Sequence, residues 1–168
     1  MGQSTPCLIR KPAPEFADGG DVTGYGNHDT DRLGGIVEAN RALVKKFFAA
    51  VESGDFDAFD ALVAEDYDDH LAGQSPGRET LKTYFQQLRV AFPDIKLPIS
   101  QMVAEGDRVA VLNSVQGTHR GEFLGIAATG RRVDAPAFQL YRIEGGQLAE
   151  HWEVADFATL MRQLQPDT

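Results

Sequence analysis

A histidine and a carboxylate lie two residues apart in EHWEVADF, the stretch at 150–157 near the end of the chain. In a β-strand, successive side chains point to opposite faces, so His151 and Glu153 share one face. A carboxylate enclosed in an apolar cavity resists ionisation, which raises its pKa toward the range in which a general base works best. Glu153 is therefore a candidate general acid/base, and His151 could assist it by binding the carboxylate or a substrate oxygen.

The same stretch can also be interpreted as a solvated strand end. Its opposite face carries the larger apolar side chains Leu148, Trp152 and Val154. In a sheet with one face in water, burial of that face would leave His151 and Glu153 exposed. The choice between the two interpretations depends on the neighbouring strand.

That strand, VDAPAFQLYRI at 133–143, carries apolar residues on both of its faces. One face has Val133, Ala135, Ala137, Gln139, Tyr141 and Ile143, and the other has Asp134, Pro136, Phe138, Leu140 and Arg142. A sheet that is apolar on both faces is covered on both faces. We expect one face to line a cavity with His151 and Glu153, and the other to form a homodimer interface that includes Trp152.

Other polar and aromatic residues are candidates for binding a substrate in that cavity. Gln139 could orient the same oxygen as His151, while Asn113, a polar interruption of an apolar strand, either contacts that oxygen or satisfies a strand irregularity. His70 follows a predicted helix, and it would either lie near the mouth of the cavity or bond the local backbone. The aromatic candidates for the cavity wall, or for the core, are Tyr67, Phe123 and Trp152.

Length, composition and charge narrow the class of protein. The chain has 168 residues, 42% of them hydrophobic, which suits one domain with an ordinary core. Its formal net charge of −9 would repel phosphate backbones, so we expect a small-molecule substrate and no nucleic-acid partner. Since no apolar run approaches the ~20 residues that span a bilayer, we expect a cytoplasmic protein without a membrane partner.

Metal and cofactor motifs are missing from the sequence. The four histidines and the single cysteine do not have the spacing of metal ligands. We find no phosphate-binding glycine loop, serine-nucleophile elbow or dinucleotide fingerprint. We therefore expect chemistry without a metal or a cofactor.

Hydrophobic periodicity predicts the elements that position these residues. Residues 1–35, rich in Gly, Asp and Pro, lack a period and are predicted to be a flexible arm, and 36–168 form the domain. Helices are predicted over 36–53, 56–66 and 78–92, followed by four strands with tight turns at 105–107 and 145–146, and a short helix at 157–164. This order indicates an α+β fold, in which helices pack on a strongly curved antiparallel sheet that forms a cone with an internal cavity.

Three segments resemble the SnoaL-like polyketide cyclase or ester cyclase family, within the nuclear-transport-factor-two-like superfamily. They are NRALVKKFFAAVESGDFDAFDALVAEDYDDH, FPDI and the block GTHRGEFLGIAATGRRV. The resemblance extends from about Asn40 to Leu164 and leaves the arm outside. It implies a three-helix cover over a curved antiparallel sheet that encloses an apolar cavity.

The resemblance also implies a reaction. The best-understood members of the family close a ring by intramolecular aldol condensation of a polyketide ester, without metal or cofactor. Their acidic catalytic residue lies two positions after the histidine of the motif, and here that position holds Glu153, where the family usually has aspartate. The resemblance thus implies a cofactor-independent cyclase, of the isomerase or lyase type, that acts on a polyketide-like or other carbonyl compound.

Two alternatives stay open at the level of sequence. Enzymes with this fold also open epoxides, typically with paired carboxylates that flank an arginine. Glu153 and Asp134 could supply two carboxylates, although strand alternation does not place Arg142 between them on one face. The cavity could instead belong to a non-catalytic small-molecule-binding module, because a fold by itself does not determine a function.

Overall fold

The computed structural model describes residues 27–71 and 75–165. Helix α1, Asn27–Ser53, begins inside the predicted arm, of which only residues 1–26 lie outside the described residues. The paired Gly34 and Gly35 suggest a break, but each costs a helix only about 1 kcal/mol, which the packed remainder of the helix can offset. At the other end, Gly54 adopts the left-handed conformation (φ 77°) and terminates the helix as predicted.

Helix α1 packs an apolar stripe against the sheet. The buried members of the stripe are Leu43, Val44, Phe47, Phe48 and Val51. Their spacing of three and four residues places them on one side of the helix, as predicted. Asn40, also buried, donates from Nδ2 to the carbonyl oxygen of Gly106 at 3.0 Å, which links the helix to the β2–β3 turn described below.

The segment after α1 differs most from the sequence prediction. The apolar spacing predicts a helix over 56–66, but helix α2 spans only Phe59–Leu62, and strand β1, Val63–Asp69, follows at once. The prediction was wrong because the apolar residues at 59, 62 and 63 also fit a helical period. Residues 63–69 are extended because they pair with a strand that lies far away in the sequence.

The remaining elements follow the prediction closely. They are α3 (Arg78–Ala91), β2 (Ile99–Glu105), β3 (Arg108–Thr118), β4 (Arg132–Glu144), β5 (Gln147–Ala155) and α4 (Phe157–Leu164). The strand order is β1-β5-β4-β3-β2, antiparallel throughout except for the parallel β1–β5 pair. Helix α1 contacts β2, β3 and β5, and α3 contacts β1, so the predicted α+β fold is confirmed.

A bulge in β5 changes which residues share a face. Tyr141 pairs with His151, whereas Ile143 pairs with Leu148, so β5 uses one more residue than β4 between these two pairs. Strict alternation would place Leu148 and His151 on opposite faces of the sheet. The bulge instead turns both side chains to the helix-covered face, and Leu148 is fully buried in the core. The predicted face assignment therefore holds from Glu150 onward and is wrong before it.

The other face of the sheet carries an apolar band that the described chain leaves open. Its exposed members come from all four antiparallel strands: Val103, Leu112, Phe138 and Val154. Leu112 pairs with Phe138, and Phe138 pairs with Val154, so the band runs continuously across β3, β4 and β5.

Among the described residues, no helix combines the length and apolar character needed to cross a membrane.

Candidate active site

A cavity lies between the helices and the inner face of the sheet. Its volume is about 50 Å³, so it is narrow and smaller than most small-molecule sites. Its wall is aromatic and aliphatic, with a polar patch where the sheet contributes, and the side chains that line it include Phe47, Phe48, Tyr67, Asp69, Leu81, Tyr84, Phe85, Leu88, Gln139, Tyr141, His151 and Glu153.

Three neighbouring strands place Asp69, His151 and Tyr141 side by side on the inner face. Asp69 of β1 pairs with His151 of β5, which pairs with Tyr141 of β4. The Tyr141 and His151 rings stack with their centroids 4.8 Å apart. His151 Nδ1 lies 3.3 Å from Asp69 Oδ1. The imidazole is therefore fixed on one side by an aromatic ring and on one edge by a carboxylate.

This arrangement determines how His151 can act. Burial opposes the charge on Asp69, but the hydrogen bond and the charge of His151 outweigh it and lower the Asp69 pKa. An ionised Asp69 only accepts hydrogen bonds, so Nδ1 of His151 carries a proton. The Nε2 atom is buried and has no hydrogen-bond partner in the described part of the chain. Nε2 is thus left free to accept a proton when the ring is neutral, or to donate one when it is charged.

Glu153 lies one position further along the same face, where it pairs with Gln139. Glu153 is partly buried, and its side chain lines the cavity. Burial raises the Glu153 pKa, and the nearby charge of Asp69 adds to this effect, while the charge of His151 opposes it. The environment therefore keeps a proton on Glu153 to a higher pH than an ordinary glutamate would hold it.

Three tyrosines surround the two carboxylates. Burial raises the pKa of Tyr67, Tyr84 and Tyr141, and the charges of Glu153 and Asp69 contribute to each increase. Their phenols stay protonated and can donate hydrogen bonds. The Tyr141 hydroxyl group donates a hydrogen bond to Gln139 Oε1. The cavity thus provides proton-carrying groups next to a base that resists ionisation.

Gln139 and Asn113 form a buried polar chain behind this site. Gln139 Nε2 donates to Asn113 Oδ1 at 3.2 Å, and Asn113 Nδ2 donates to the Ser114 carbonyl oxygen at 3.3 Å. Gln139 lines the cavity, as predicted, whereas Asn113 is not among the lining residues. Asn113 therefore holds Gln139 in orientation. Of its two predicted roles, that of a satisfied polar group at a strand irregularity agrees with this position, because the β2–β3 pairing shifts register beside Asn113.

Neither His70 nor Trp152 lines the cavity, so of the alternatives predicted for each residue the cavity position is not the one found. Trp152 alternates with His151 along β5, and His70 follows directly after Asp69, the last residue of β1, so both lie on the outer face, where their rings stack with centroids 4.4 Å apart. The Arg108 guanidinium lies 5.8 Å from the centre of the Trp152 ring. Because these neighbours bury Trp152, it also offers little surface to a partner subunit.

Two further predicted residues lie elsewhere. Phe123 packs edge-on against Phe92, with centroids 5.2 Å apart, and borders a separate surface groove instead of the cavity. Asp134, the expected second carboxylate of the epoxide alternative, is exposed on the outer face and accepts a hydrogen bond from Gln116 at 3.1 Å. Asp134 lies on the face of β4 that alternation separates from Gln139 and Tyr141, so its exposure follows from the local sequence.

Asp69 and Tyr84 also belong to the site, although neither was among the residues predicted for it. Asp69 lies between two of the predicted helices, where a carboxylate usually faces solvent. Tyr84 lies within the predicted helix over 78–92, where an aromatic residue usually packs in the core. The available signal was the alternation of Tyr67 and Asp69, which share a face once the segment is recognised as a strand.

No metal-binding cluster accompanies this site. Within 27–71 and 75–165, no group of three or more His, Cys, Asp or Glu side chains is arranged to hold a metal ion. A reaction without metal or cofactor stays a prediction from the sequence.

Comparisons with known proteins give a consistent result. The model of the SnoaL-like polyketide cyclase family matches residues 42–164. No match was found among curated proteins. The fold is similar to solved structures of TsrD from Streptomyces laurentii, with 28% identity, a TM-score of 0.71 and coverage of 76% of this chain and 95% of TsrD.

Two other solved structures show how far the likeness extends. IdmH from Streptomyces antibioticus, a candidate polyketide cyclase, has 28% identity and a TM-score of 0.67, with 74% of this chain and 97% of IdmH covered. AclR from Streptomyces galilaeus, a candidate hydroxylase, has 28% identity and a TM-score of 0.69, with 79% of this chain and 85% of AclR covered. Neighbours of similar identity thus carry names of different activities, so the fold alone does not select the reaction.

Proposed function

Because the chain belongs to the SnoaL-like polyketide cyclase family, we propose that it is a cofactor-independent cyclase that removes a proton next to a carbonyl group of a small molecule. The observation that carries this proposal is Glu153, a carboxylate with a raised pKa that faces an apolar cavity. A base of this kind is strongest where water is excluded and where the acidic proton is held within reach.

The residues around Glu153 support specific roles in an aldol-type cyclisation. The ionised Glu153 takes a proton from the carbon next to the substrate carbonyl, which leaves an enolate. His151, held by Asp69, donates from Nε2 to the enolate oxygen when the ring is charged, and Gln139 orients the substrate. The enolate carbon then bonds to a second carbonyl carbon, and Glu153 returns its proton to the new alkoxide, so that the protons balance.

The first step can be tested without knowing the natural substrate. Acetophenone, a small aromatic ketone, suits the narrow aromatic cavity, and its methyl protons exchange slowly with D₂O at neutral pH. We expect the protein to accelerate deuterium incorporation, as measured by NMR, and we expect Glu153→Gln to reduce that rate by about 10²–10⁴-fold. Glu150→Gln, the same change on the outer face of the same strand, is the matched control. Equal rates for the Glu153→Gln variant and the wild type would remove Glu153 from the mechanism.

One observation also favours an epoxide-opening reaction as a second candidate. Asp69 lies beside His151 on the neighbouring strand and Glu153 lies two residues along its own strand, with the pKa of Asp69 lowered and that of Glu153 raised. Two carboxylates whose environments separate their pKa values can divide the roles of base and acid. Asp69 would activate a hydroxyl group of the substrate or a water, and protonated Glu153 would donate to the epoxide oxygen.

Styrene oxide distinguishes the two reactions. Under the epoxide proposal, the protein consumes it, and either Asp69→Asn or Glu153→Gln abolishes the consumption, because both carboxylates act on the substrate. Under the cyclase proposal, styrene oxide is left intact while acetophenone exchanges its protons. Binding of both compounds without any reaction would support the third possibility, a non-catalytic binding module.

We also propose that a second copy of the chain covers the outer apolar band. The band presents Val103, Leu112, Phe138 and Val154, of which Val103, Phe138 and Val154 are each at least half exposed, at 65%, 50% and 58%. Continuous apolar surface of this kind marks interaction sites in soluble proteins. The band lies on the face opposite the cavity, so a homodimer formed through it leaves the cavity accessible.

A further inference from the structure

The motif GEFLGI at 121–126 has no role in the site described above, yet the structure holds it firmly. Phe123 and Ile126 exchange two backbone hydrogen bonds, at 3.0 and 2.9 Å, which closes a tight turn. The backbone N–H groups of Arg120 and Gly121 donate to the Ala91 carbonyl oxygen at 2.8 and 3.2 Å. The turn is therefore attached to the carboxyl end of helix α3.

Gly121 makes this attachment possible. A Cβ atom at this position would lie 2.5 Å from the Val90 carbonyl oxygen, so only glycine allows the two segments to approach so closely. The position of the turn relative to α3 is thus fixed by backbone contacts, independently of the side chains at its tip.

Leu124, at the tip of this turn, combines two unfavourable features. Its φ is 50°, and it is the one described residue other than glycine with a positive φ. Turns of this shape favour Asn or Gly at such a position. The Leu124 side chain is also 64% exposed. Strained backbone that presents an apolar side chain to solvent is typical of positions that contact a ligand.

Beside this turn runs a groove between α3 and the loop. Its apolar wall consists of Tyr84, Leu88, Val90, Phe123 and Leu124. Val90 is 70% exposed, so the groove has an apolar side chain open to solvent on each bank. Within the described residues, no cationic side chain lines the groove, and its polar members are Gln87 and the carboxylate Glu122.

The groove adjoins the cavity that contains Glu153. Tyr84 and Leu88 line both spaces, so these two side chains form the wall between them. The cavity itself is narrow, with a volume of about 50 Å³, whereas the groove has about 490 Å³. A ligand with its reactive carbonyl in the cavity would extend into the groove by displacing these two side chains.

We propose that this groove binds the uncharged, apolar tail of the substrate whose carbonyl end occupies the cavity. The proposal rests on the function proposed above and adds a substrate class to it, namely carbonyl compounds with an extended alkyl or aryl portion. Leu124 and Val90 contact the tail from the two banks, and Phe123 forms the floor. The carboxylate of Glu122 disfavours an anionic tail, because the two charges would repel each other.

The test uses a series of methyl ketones with straight alkyl tails from propyl to undecyl, with binding measured by calorimetry on the full chain. In the wild type, we expect the short ketones to bind in the cavity alone, and each further methylene in the groove to increase affinity about fourfold. Leu124→Gly removes the side chain and relieves the backbone strain, and Val90→Ser removes the opposite bank. The double variant should lose the gain for the long ketones and keep the affinity for the short ones.

Two controls make the result decisive. Leu33→Ser removes an equally apolar side chain, 51% exposed, at a site outside the groove, and it should leave the whole series unchanged. Glu153→Gln should abolish deuterium exchange of the ketones while the chain-length dependence of binding persists. Failure of the proposed chemistry would then appear as absent exchange, separately from the binding series.

Two results would overturn the proposal. One is an affinity series in which the double variant and the wild type show the same dependence on tail length. The other is a change from dimer to monomer on Leu124→Gly in sedimentation velocity, which would show that a second copy of the chain occupies the groove instead of a substrate tail.

Discussion

The two faces of the sheet carry similar pairs of residues in different surroundings. On the inner face, His151 bonds Asp69 at 3.3 Å and stacks on Tyr141. On the outer face, His70 bonds Glu150 at 2.8 Å and stacks on Trp152. Each pair joins the end of β1, or the residue directly after it, to β5. Each also contains an imidazole that contacts both a carboxylate and an aromatic ring.

The pairs differ in what neutralises the negative charge. Glu150 also accepts a hydrogen bond from Arg142 Nε at 2.6 Å, and although burial opposes its charge, these two partners lower its pKa. The inner face instead adds a second carboxylate, Glu153, and His151 is the one described group whose charge lowers its pKa. The inner face therefore differs from the outer face in holding a second carboxylate, Glu153, whose pKa is raised first by burial and then by the charge of Asp69.

The largest difference is expected when the carboxylate of each pair is neutralised. Asp69→Asn should lower ketone exchange by at least about tenfold, or about 1.4 kcal/mol of transition-state stabilisation, because the His151 ring loses the group that fixes its proton on Nδ1. Glu150→Gln should change the exchange rate by less than about threefold. Parallel NMR exchange measurements check this, and comparable losses from the two variants would contradict the distinction between the faces.

The pH dependence sharpens the same contrast. Glu153 must be ionised to act as a base, and its pKa is raised, so the exchange rate should rise with pH through a midpoint above the ~4.3 of an ordinary glutamate. The charge of His151 lowers this pKa, so His151→Gln should move the midpoint to higher pH. His70→Gln should leave the midpoint in place. A midpoint that stays unchanged in the His151 variant would show that the titrating group is not Glu153.

Neutralising each of the two inner carboxylates should change the free energy of unfolding in opposite directions. The folded-state pKa of Glu153 is raised, so its contribution to stability is present at low pH and is lost as pH rises through that pKa. At pH 7, Glu153→Gln should therefore raise the free energy of unfolding by about 0.5–2 kcal/mol, and the gain should shrink toward pH 4.

Asp69 provides the matched comparison for stability. Its folded-state pKa is lowered, so it stabilises the fold above the unfolded value of about 3.9 and loses that contribution as pH falls. Asp69→Asn should accordingly destabilise the protein at pH 7 and approach the wild type in acid. Denaturant unfolding at the two pH values measures both variants, and equal signs at pH 7 would contradict the assigned charge states.

The smallest effect on catalysis is expected from the apolar band. Phe138→Ser should weaken the proposed homodimer, since Phe138 lies at the centre of the band and pairs with both Leu112 and Val154. Sedimentation equilibrium measures the dissociation constant, and the exchange rate per chain should stay within about twofold of the wild type, because the band lies opposite the cavity. A monomeric wild type would remove the dimer proposal and leave the active-site proposal intact.

Much of this architecture follows from local sequence. The periods of α1 and α3, the glycines at the hairpin turns and the alternation along β4 determine which side chains of these elements are buried. Alternation predicted that His151 and Glu153 share one face, and this holds because both residues lie beyond the bulge in β5, where alternation is regular. The spacing of these residues along the strand was therefore sufficient to predict the face that they share.

The rest depends on contacts between segments that are distant in the sequence. Val63 and Tyr67 become strand residues because β5 offers them an edge, and this pairing turns Asp69 inward and His70 outward. The bulge between Leu148 and Glu150 depends on its register with β4. The raised pKa of Glu153 depends first on its burial in the folded chain and then on the neighbouring charges of His151 and Asp69. The sequence alone therefore determined the candidate base, and the tertiary structure decided its electrostatic environment.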